Sequence, residues 1–205
     1  EPPGGAATRR IGPFLDDQPG PDRSLHFWSY NRGKRSVTLD LSSPGDQARF
    51  RRLLESADIL LDASGGAVAK ALAAAPREIA SLFPGLIVAR MTPFGDEGPW
   101  KDYKSSDLIH LALGGVMMNC GYDPDPSKHY DMPPIAPQLW HAYHIAGDQM
   151  VVGILAALIH RLHTGEGQDL SVAIHEAVSK NTELDVMSWV MRRAPLFRQT
   201  CRHAV

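Results

Sequence analysis

One carboxylate stands where a reactive group would. Asp107 closes the run Phe94-Gly95-Asp96-Glu97-Gly98-Pro99-Trp100-Lys101-Asp102-Tyr103-Lys104-Ser105-Ser106-Asp107. This glycine- and proline-bearing loop follows the apolar segment 86–91. Ser105 or Ser106 can cap a helix starting there, and Leu108, Leu111, Ala112 and Gly115 continue it at helical spacing. Backbone N–H groups at a helix start favour an anion, so the pattern predicts an ionised carboxylate held in place. A positioned carboxylate can attack an acyl carbon. An aspartate in a first helical turn is also ordinary helix chemistry, and for Asp107 taken by itself that plainer reading is the better one.

Other chemistry-bearing residues form weaker patterns. His141 and His144 are spaced i, i+3, as are His160 and His163, but no cysteine or carboxylate cluster completes a zinc set. These histidines read as helix-surface or satisfied core residues, and no metal is expected. No Gly-x-Ser-x-Gly elbow and no phosphate-binding Gly-x-x-x-x-Gly-Lys-Ser/Thr loop is present, so serine-hydrolase and nucleoside-triphosphatase readings find no support.

The elements that must position Asp107 follow from composition and period. With 43% hydrophobic and 21% charged residues, the 205-residue chain has enough apolar material for one folded domain. A net charge of -2 argues against nucleic acid as a partner. Cys120 and Cys201 make no disulfide framework and fit a reducing cytoplasm. The apolar run 150–159 is too short to cross a bilayer and predicts a buried helix, with no membrane partner. Residues 1–30, rich in Pro and Gly, read as loop. A strand is predicted over 36–41, a helix from Ser43-Pro44 to about Ser56, a strand over 59–61, a helix over 66–74 and another from Pro76 to before Pro84. A third strand over 86–91 leads to the Asp107 helix. A Pro/Asp-rich loop over 122–137, a long helix over about 138–163, a strand over 168–173 and a last helix from near His175 complete the pattern. Alternating strands and helices predict an α/β fold, a Rossmann-like parallel sheet with flanking helices. The chain is divided into a loop-rich segment 1–30, an α/β core 31–137 and a helical stretch 138–205.

Three segments resemble the class III CoA-transferase family, the formyl-CoA and carnitine CoA-transferase type. They are Asn31-Arg32-Gly33-Lys34-Arg35-Ser36-Val37-Thr38-Leu39-Asp40-Leu41, the loop ending at Asp107, and the series Gly153-Ile154-Leu155-Ala156-Ala157-Leu158, Arg161, Thr164-Gly165-Glu166-Gly167-Gln168, Ser171 and Glu176-Ala177. Each is weak alone, and their order over nearly the whole chain is the signal. The resemblance implies Asp107 as nucleophile and coenzyme A as the group carried. Arg9, Asn31 and Lys34 are implied as its contacts, with Arg10 and Arg35 nearby. The family's Ala-Asp-hydrophobic segment matches Ala57-Asp58-Ile59-Leu60-Leu61-Asp62, but Ala63 and Ser64 replace its Asn and Phe. Contacts from Ser64, Gly65, Gly66 and Lys70 are therefore expectations for the adenine pocket. Thr92 and Phe94 are implied near the pantetheine, and Phe94 and Trp100 either line the acyl pocket or pack in the core.

The activity implied is exchange of coenzyme A between an acyl-CoA donor and a carboxylic acid acceptor, through an aspartyl-CoA thioester on Asp107, without metal. Acyl-CoA racemases share the fold but place Gly-His-Asp where this chain has Ser105-Ser106-Asp107. They also carry an acid early in the next long helix, where Gln138–His144 has none before Asp148, so the transferase reading is preferred. A non-catalytic coenzyme A-binding subunit is the other alternative. The resemblance further implies that both ends of the chain are cut, and that the full-length protein is an interlinked homodimer in the cytoplasm.

Overall fold

In the computed structural model, which describes residues 1–194 and 196–198, the chain is an α/β fold with a parallel three-stranded sheet and flanking helices. Cys201 lies outside these residues. Strands β1 (Ile59–Asp62), β2 (Ile87–Thr92) and β3 (Asp169–Ala173) lie in the order β1-β2-β3. Ile59 pairs with Ile87, and Val88 with Asp169. β2 is central, and Ile87, Val88 and Ala89 are buried, as a parallel strand covered on both faces requires. Helices are α1 (Leu25–Tyr30), α2 (Pro44–Glu55), α3 (Ala67–Leu72), α4 (Ile79–Leu82), α5 (Asp107–Leu113), α6 (His141–Thr164), α7 (Ile174–Lys180) and α8 (Glu183–Arg192). Two compact units result, Glu1–Ala57 with Gly66–Ile79, and Asp58–Gly65 with Ala80–Val205.

Four expectations are corrected. Residues 1–30 are not all loop, because they hold two short 3-10 turns, Ala7–Arg10 and Leu15–Asp17, and α1. Ser24 starts α1: its buried hydroxyl accepts the Phe27 N–H at 3.0 Å and donates to the Ile11 carbonyl at 2.5 Å. The segment 36–41 is extended but not a strand. It makes backbone bonds to Glu1, through Val37 and Leu39, instead of a ladder, and a β-rich sequence needs a paired neighbour to become sheet. The last helix is two, α7 and α8. Asn181 bonds the Ala177 carbonyl and Thr182 the Ser179 carbonyl, so their side chains compete with helical bonding at the break. The apolar run 150–159 belongs to α6, a 24-residue helix long and apolar enough to cross a bilayer by length and composition. It is also less buried than expected. Ala142, Ala146, Met150 and Ala157 are buried, whereas Val152, Ile159 and Leu162 are exposed. In the fold α6 packs on β2, β3, α5 and α7.

Arg90, in the middle of β2, is 3% exposed and holds the sheet to the loop that follows it. Its Nε and Nη2 donate to both oxygens of Asp169 on β3, at 2.9 and 2.8 Å, and Nη1 donates to Asp96 in the loop. These two carboxylates raise the guanidinium pKa further. The segment Thr164-Gly165-Glu166-Gly167-Gln168 turns the chain from α6 into β3. Gly165 closes α6 with a left-handed φ of 77°. Gly167 passes so near β2 that a Cβ would stand 2.0 Å from the Leu86 carbonyl oxygen, so no larger residue fits without a backbone shift.

Removing one member of a buried ion cluster leaves its partners uncompensated. Arg90→Met is expected to cost about 3–5 kcal/mol of unfolding free energy. A urea midpoint unchanged from wild type would show that the cluster is dispensable.

Candidate active site

The loop after β2 begins with a tight turn, in which the Gly95 N–H donates to Thr92 Oγ1 at 2.9 Å. It ends at Ser106, whose Oγ accepts the Ile109 N–H at 3.3 Å and caps α5, as its spacing predicted. Asp107 is the first residue of α5. Its carboxylate is also claimed from a second direction, because Oδ1 accepts the Ala142 N–H at 2.9 Å. Ala142 lies in the first turn of α6, and α6 has no cap of its own. Its N-cap is Trp140, in the left-handed region at φ 58° with no side-chain cap bond. Asp107 therefore serves as the missing cap of α6 while opening α5, and two helix starts favour its charge. The site lies beyond the carboxyl end of a parallel strand, the usual place for ligands in such sheets.

An aromatic cluster backs the carboxylate. Phe94 is buried, with ring centroids at 5.0 Å from His110, 5.7 Å from His175, 6.0 Å from Trp100 and 6.2 Å from Tyr103. Phe94 is thus a packing residue in the interior, and Trp100 borders it at the surface. Tyr143, on α6, stands 6.3 Å from His110 and 6.1 Å from Trp140. Burial, and then the Asp107 charge, push the Tyr143 phenol above its ordinary range. The His175 N–H donates to the Pro93 carbonyl at 3.1 Å, which binds the start of α7 to the loop after β2. Gly114 closes α5 against α7, where a Cβ would meet Val178 Cγ1 at 2.4 Å. The Gly114 and Gly115 N–H groups donate to the His110 and Ala112 carbonyls, so neither points free toward a developing oxyanion.

The implied coenzyme A contacts fall into separate groups. Arg9, Asn31 and Lys34 line one cleft of about 330 Å³ with Glu1, Phe27 and Arg35. Arg9 is already engaged there. Its Nε and Nη2 donate to Glu1 at 2.6 and 2.8 Å, Nη1 donates to Asp22 at 3.0 Å, and the guanidinium lies 3.9 Å over Phe27. Hydrogen bonds from Arg9, Ala6 and Ser36 hold the Glu1 carboxyl well below the usual carboxylate range. Lys34 Nζ donates to Asn31 Oδ1 at 3.1 Å and is otherwise exposed. Lys70 is exposed on α3 and does not line that cleft. Ser64 and Gly65 follow β1, where the Ser64 N–H donates to Asp62 and Gly65 adopts φ 64°. Among the described residues no group of three metal-ligating side chains forms.

Sequence reading missed Ala142, His110 and His175. A signal existed for His110, one helical turn after Asp107. None existed for Ala142 or His175, which only the chain's long-range folding brings near.

Residues 1–203 match the model of a family described as CoA-transferase family III. Among curated proteins, succinyl-CoA:(R)-benzylsuccinate CoA-transferase subunit BbsE of Thauera aromatica is 34% identical over 92% of this chain and 44% of its own length. Acetyl-CoA:oxalate CoA-transferase of Acetobacter aceti is 33% identical over 92% of this chain and 46% of its own. The chain thus spans less than half the length of these curated relatives. A crystal structure of a CaiB/BaiF family protein from Brucella suis superposes with a TM-score of 0.83 at 28% identity, covering 97% of this chain and 51% of that one.

The Ser106 cap orients the first turn from which Asp107 projects. Ser106→Ala is expected to cost about 0.5–1 kcal/mol, and Ser106→Asp, which can still cap, to recover most of it. Equal loss in both variants, measured by chemical denaturation, would remove capping as the reason for Ser106.

Proposed function

The chain belongs to CoA-transferase family III, and on that premise we propose that the protein transfers coenzyme A from an acyl-CoA to a free carboxylic acid, with Asp107 as nucleophile. One observation carries the proposal: the Asp107 carboxylate stands beyond the end of β2 at two helix starts, held by the Ala142 N–H. An Asp107 oxygen attacks the thioester carbon, the C–S bond breaks and coenzyme A leaves as thiolate. The thiolate attacks the Asp107 carbonyl of the resulting anhydride, and the donor acid departs as carboxylate. The acceptor carboxylate then attacks the aspartyl thioester and frees the thiolate again. The thiolate takes the acceptor acyl group, and Asp107 returns as carboxylate. The overall exchange replaces one thioester by another, so the thioester energy is conserved, and no net proton moves.

The racemase alternative needs two groups that reach opposite faces of the acyl α-carbon. His110, one helical turn after Asp107, is fully buried and cannot present itself to a substrate in this arrangement. Asp107 is retained, which argues against a purely non-catalytic subunit, although the Thauera aromatica relative is described as a subunit. A homodimer and a cytoplasmic setting belong to the same proposal. They draw support from the family resemblance alone, and a monomer in sedimentation of the intact protein would remove the dimer.

Asp107→Asn is expected to lower coenzyme A exchange by about a thousandfold or more while leaving the fold. Hydroxylamine added during turnover should modify Asp107, as read by peptide mass spectrometry. Exchange at the wild-type rate in the Asn variant would sink the assignment.

Coenzyme A carries phosphates, and the cleft holding Arg9, Asn31, Lys34 and Arg35 offers the cations and donors to bind them. A phosphate would have to compete with Glu1 for Arg9, so Lys34 is the more direct probe. Lys34→Ala is expected to raise the KM for acyl-CoA about tenfold, the equivalent of one charge-assisted bond, with kcat little changed. An unchanged KM would return Lys34 to the role of a solvated loop cation.

A further inference from the structure

The least explained group beside the nucleophile is His110. Its ring is fully buried, and neither Nδ1 nor Nε2 makes a hydrogen bond with the described residues. Buried polar atoms are normally paired, so an unpaired imidazole in an interior position calls for a reason. Asp107 precedes it by three residues, which puts the two side chains on neighbouring positions of one helix face. The titratable groups that face the ring are Asp107 from α5, Tyr143 from α6 and His175 from α7. The turn Val116–Asn119, which also packs on α5, brings none, and the loop after β2 brings Phe94 with Tyr103 behind it.

We infer that His110 is a positioning residue for Asp107: an uncharged imidazole sealed one helical turn from the nucleophile leaves its carboxylate on the Ala142 N–H, whereas a proton taken up from solvent would draw that carboxylate into an ion pair and away from the thioester. The inference rests on the reading of Asp107 as nucleophile. Burial, reinforced by His175 and opposed by Asp107, pushes the ring's pKa below the ordinary histidine value. The sign follows. The ring is uncharged at neutral pH, and its cation appears only as pH falls below about 6.5. The loss of function therefore lies on the acid side. The unfolded chain binds that proton first, so stability falls in the same direction.

The test uses the intact protein and two readouts. In wild type, kcat/KM for coenzyme A exchange is expected to fall about tenfold per pH unit below the His110 pKa. His110→Gln, neutral throughout, should displace that acid limb to lower pH. His175→Gln, which removes a like charge, should move the limb to higher pH. A proton-NMR titration of the His110 ring should give a lower pKa in Asp107→Asn than in wild type, because the opposing carboxylate is gone. An acid limb identical in wild type and His110→Gln, or a His110 titration untouched by Asp107→Asn, would overturn the inference. The titration needs no turnover, so it decides the role of His110 even if His110→Gln fails to fold. Absence of exchange in wild type at every pH would overturn the transferase reading, and would be distinguishable from a failure of this one.

Discussion

The buried guanidinium of Arg90 is the constraint on which the Asp107-bearing unit depends. It sits on the central strand, takes both oxygens of Asp169 on the next strand, and reaches Asp96 in the loop that leads to α5. A lone buried cation would be prohibitively costly, so sheet and loop must stay assembled around it. The loop thus leaves β2 in a set direction. The Thr92–Gly95 turn and the His175–Pro93 bond continue that restraint from the strand end to the start of α7. Arg161, bonded to Asp58 at 2.9 Å, ties the far end of α6 to the start of β1. Polar ties at both ends of α6 supplement apolar packing on small residues in its first two turns, where Ala142 and Ala146 let α5 and α7 approach closely.

The same economy operates at the site. α6 starts from two residues in the left-handed region, Leu139 and Trp140, and brings no capping side chain of its own. The carboxylate that caps it comes from another helix. One group therefore completes a second helix while opening its own, and this coupling gives the Asp107 carboxylate a definite direction. Near it, Phe94 packs against Trp100, His175 and His110, and Trp100 against His175. Charges act more strongly where water is excluded, which is why the buried His110 imidazole one helical turn away matters.

The other unit is organised around one ion pair. Glu1 and Arg9 form a two-point ion pair, Ser36 adds a bond to Glu1, and Phe27 lies under the guanidinium. These contacts shape a cleft whose exposed rim holds Lys34 and Arg35. Arg9 is held mainly by carboxylates of its own chain.

What the chain determined locally was legible in it. The Ser106 cap, the start of α5 at Asp107, α2 behind Ser43-Pro44, and the three strands of the sheet all rest on signals within a few residues, and the structure holds them. The ordered motifs that resemble the family led to the family itself. Contacts between distant positions were not legible. Residues 36–41 have strand composition but no ladder, α1 hides among prolines and glycines, and residues near His175 break into two helices because Asn181 and Thr182 bond backward. The Ala142 bond to Asp107, the burial of His110 between Phe94 and Tyr143, and the capture of Arg9 by Glu1 were decided by tertiary structure alone. Periodicity and capping are properties of neighbours in sequence, whereas desolvation and pairing depend on which surfaces meet after folding.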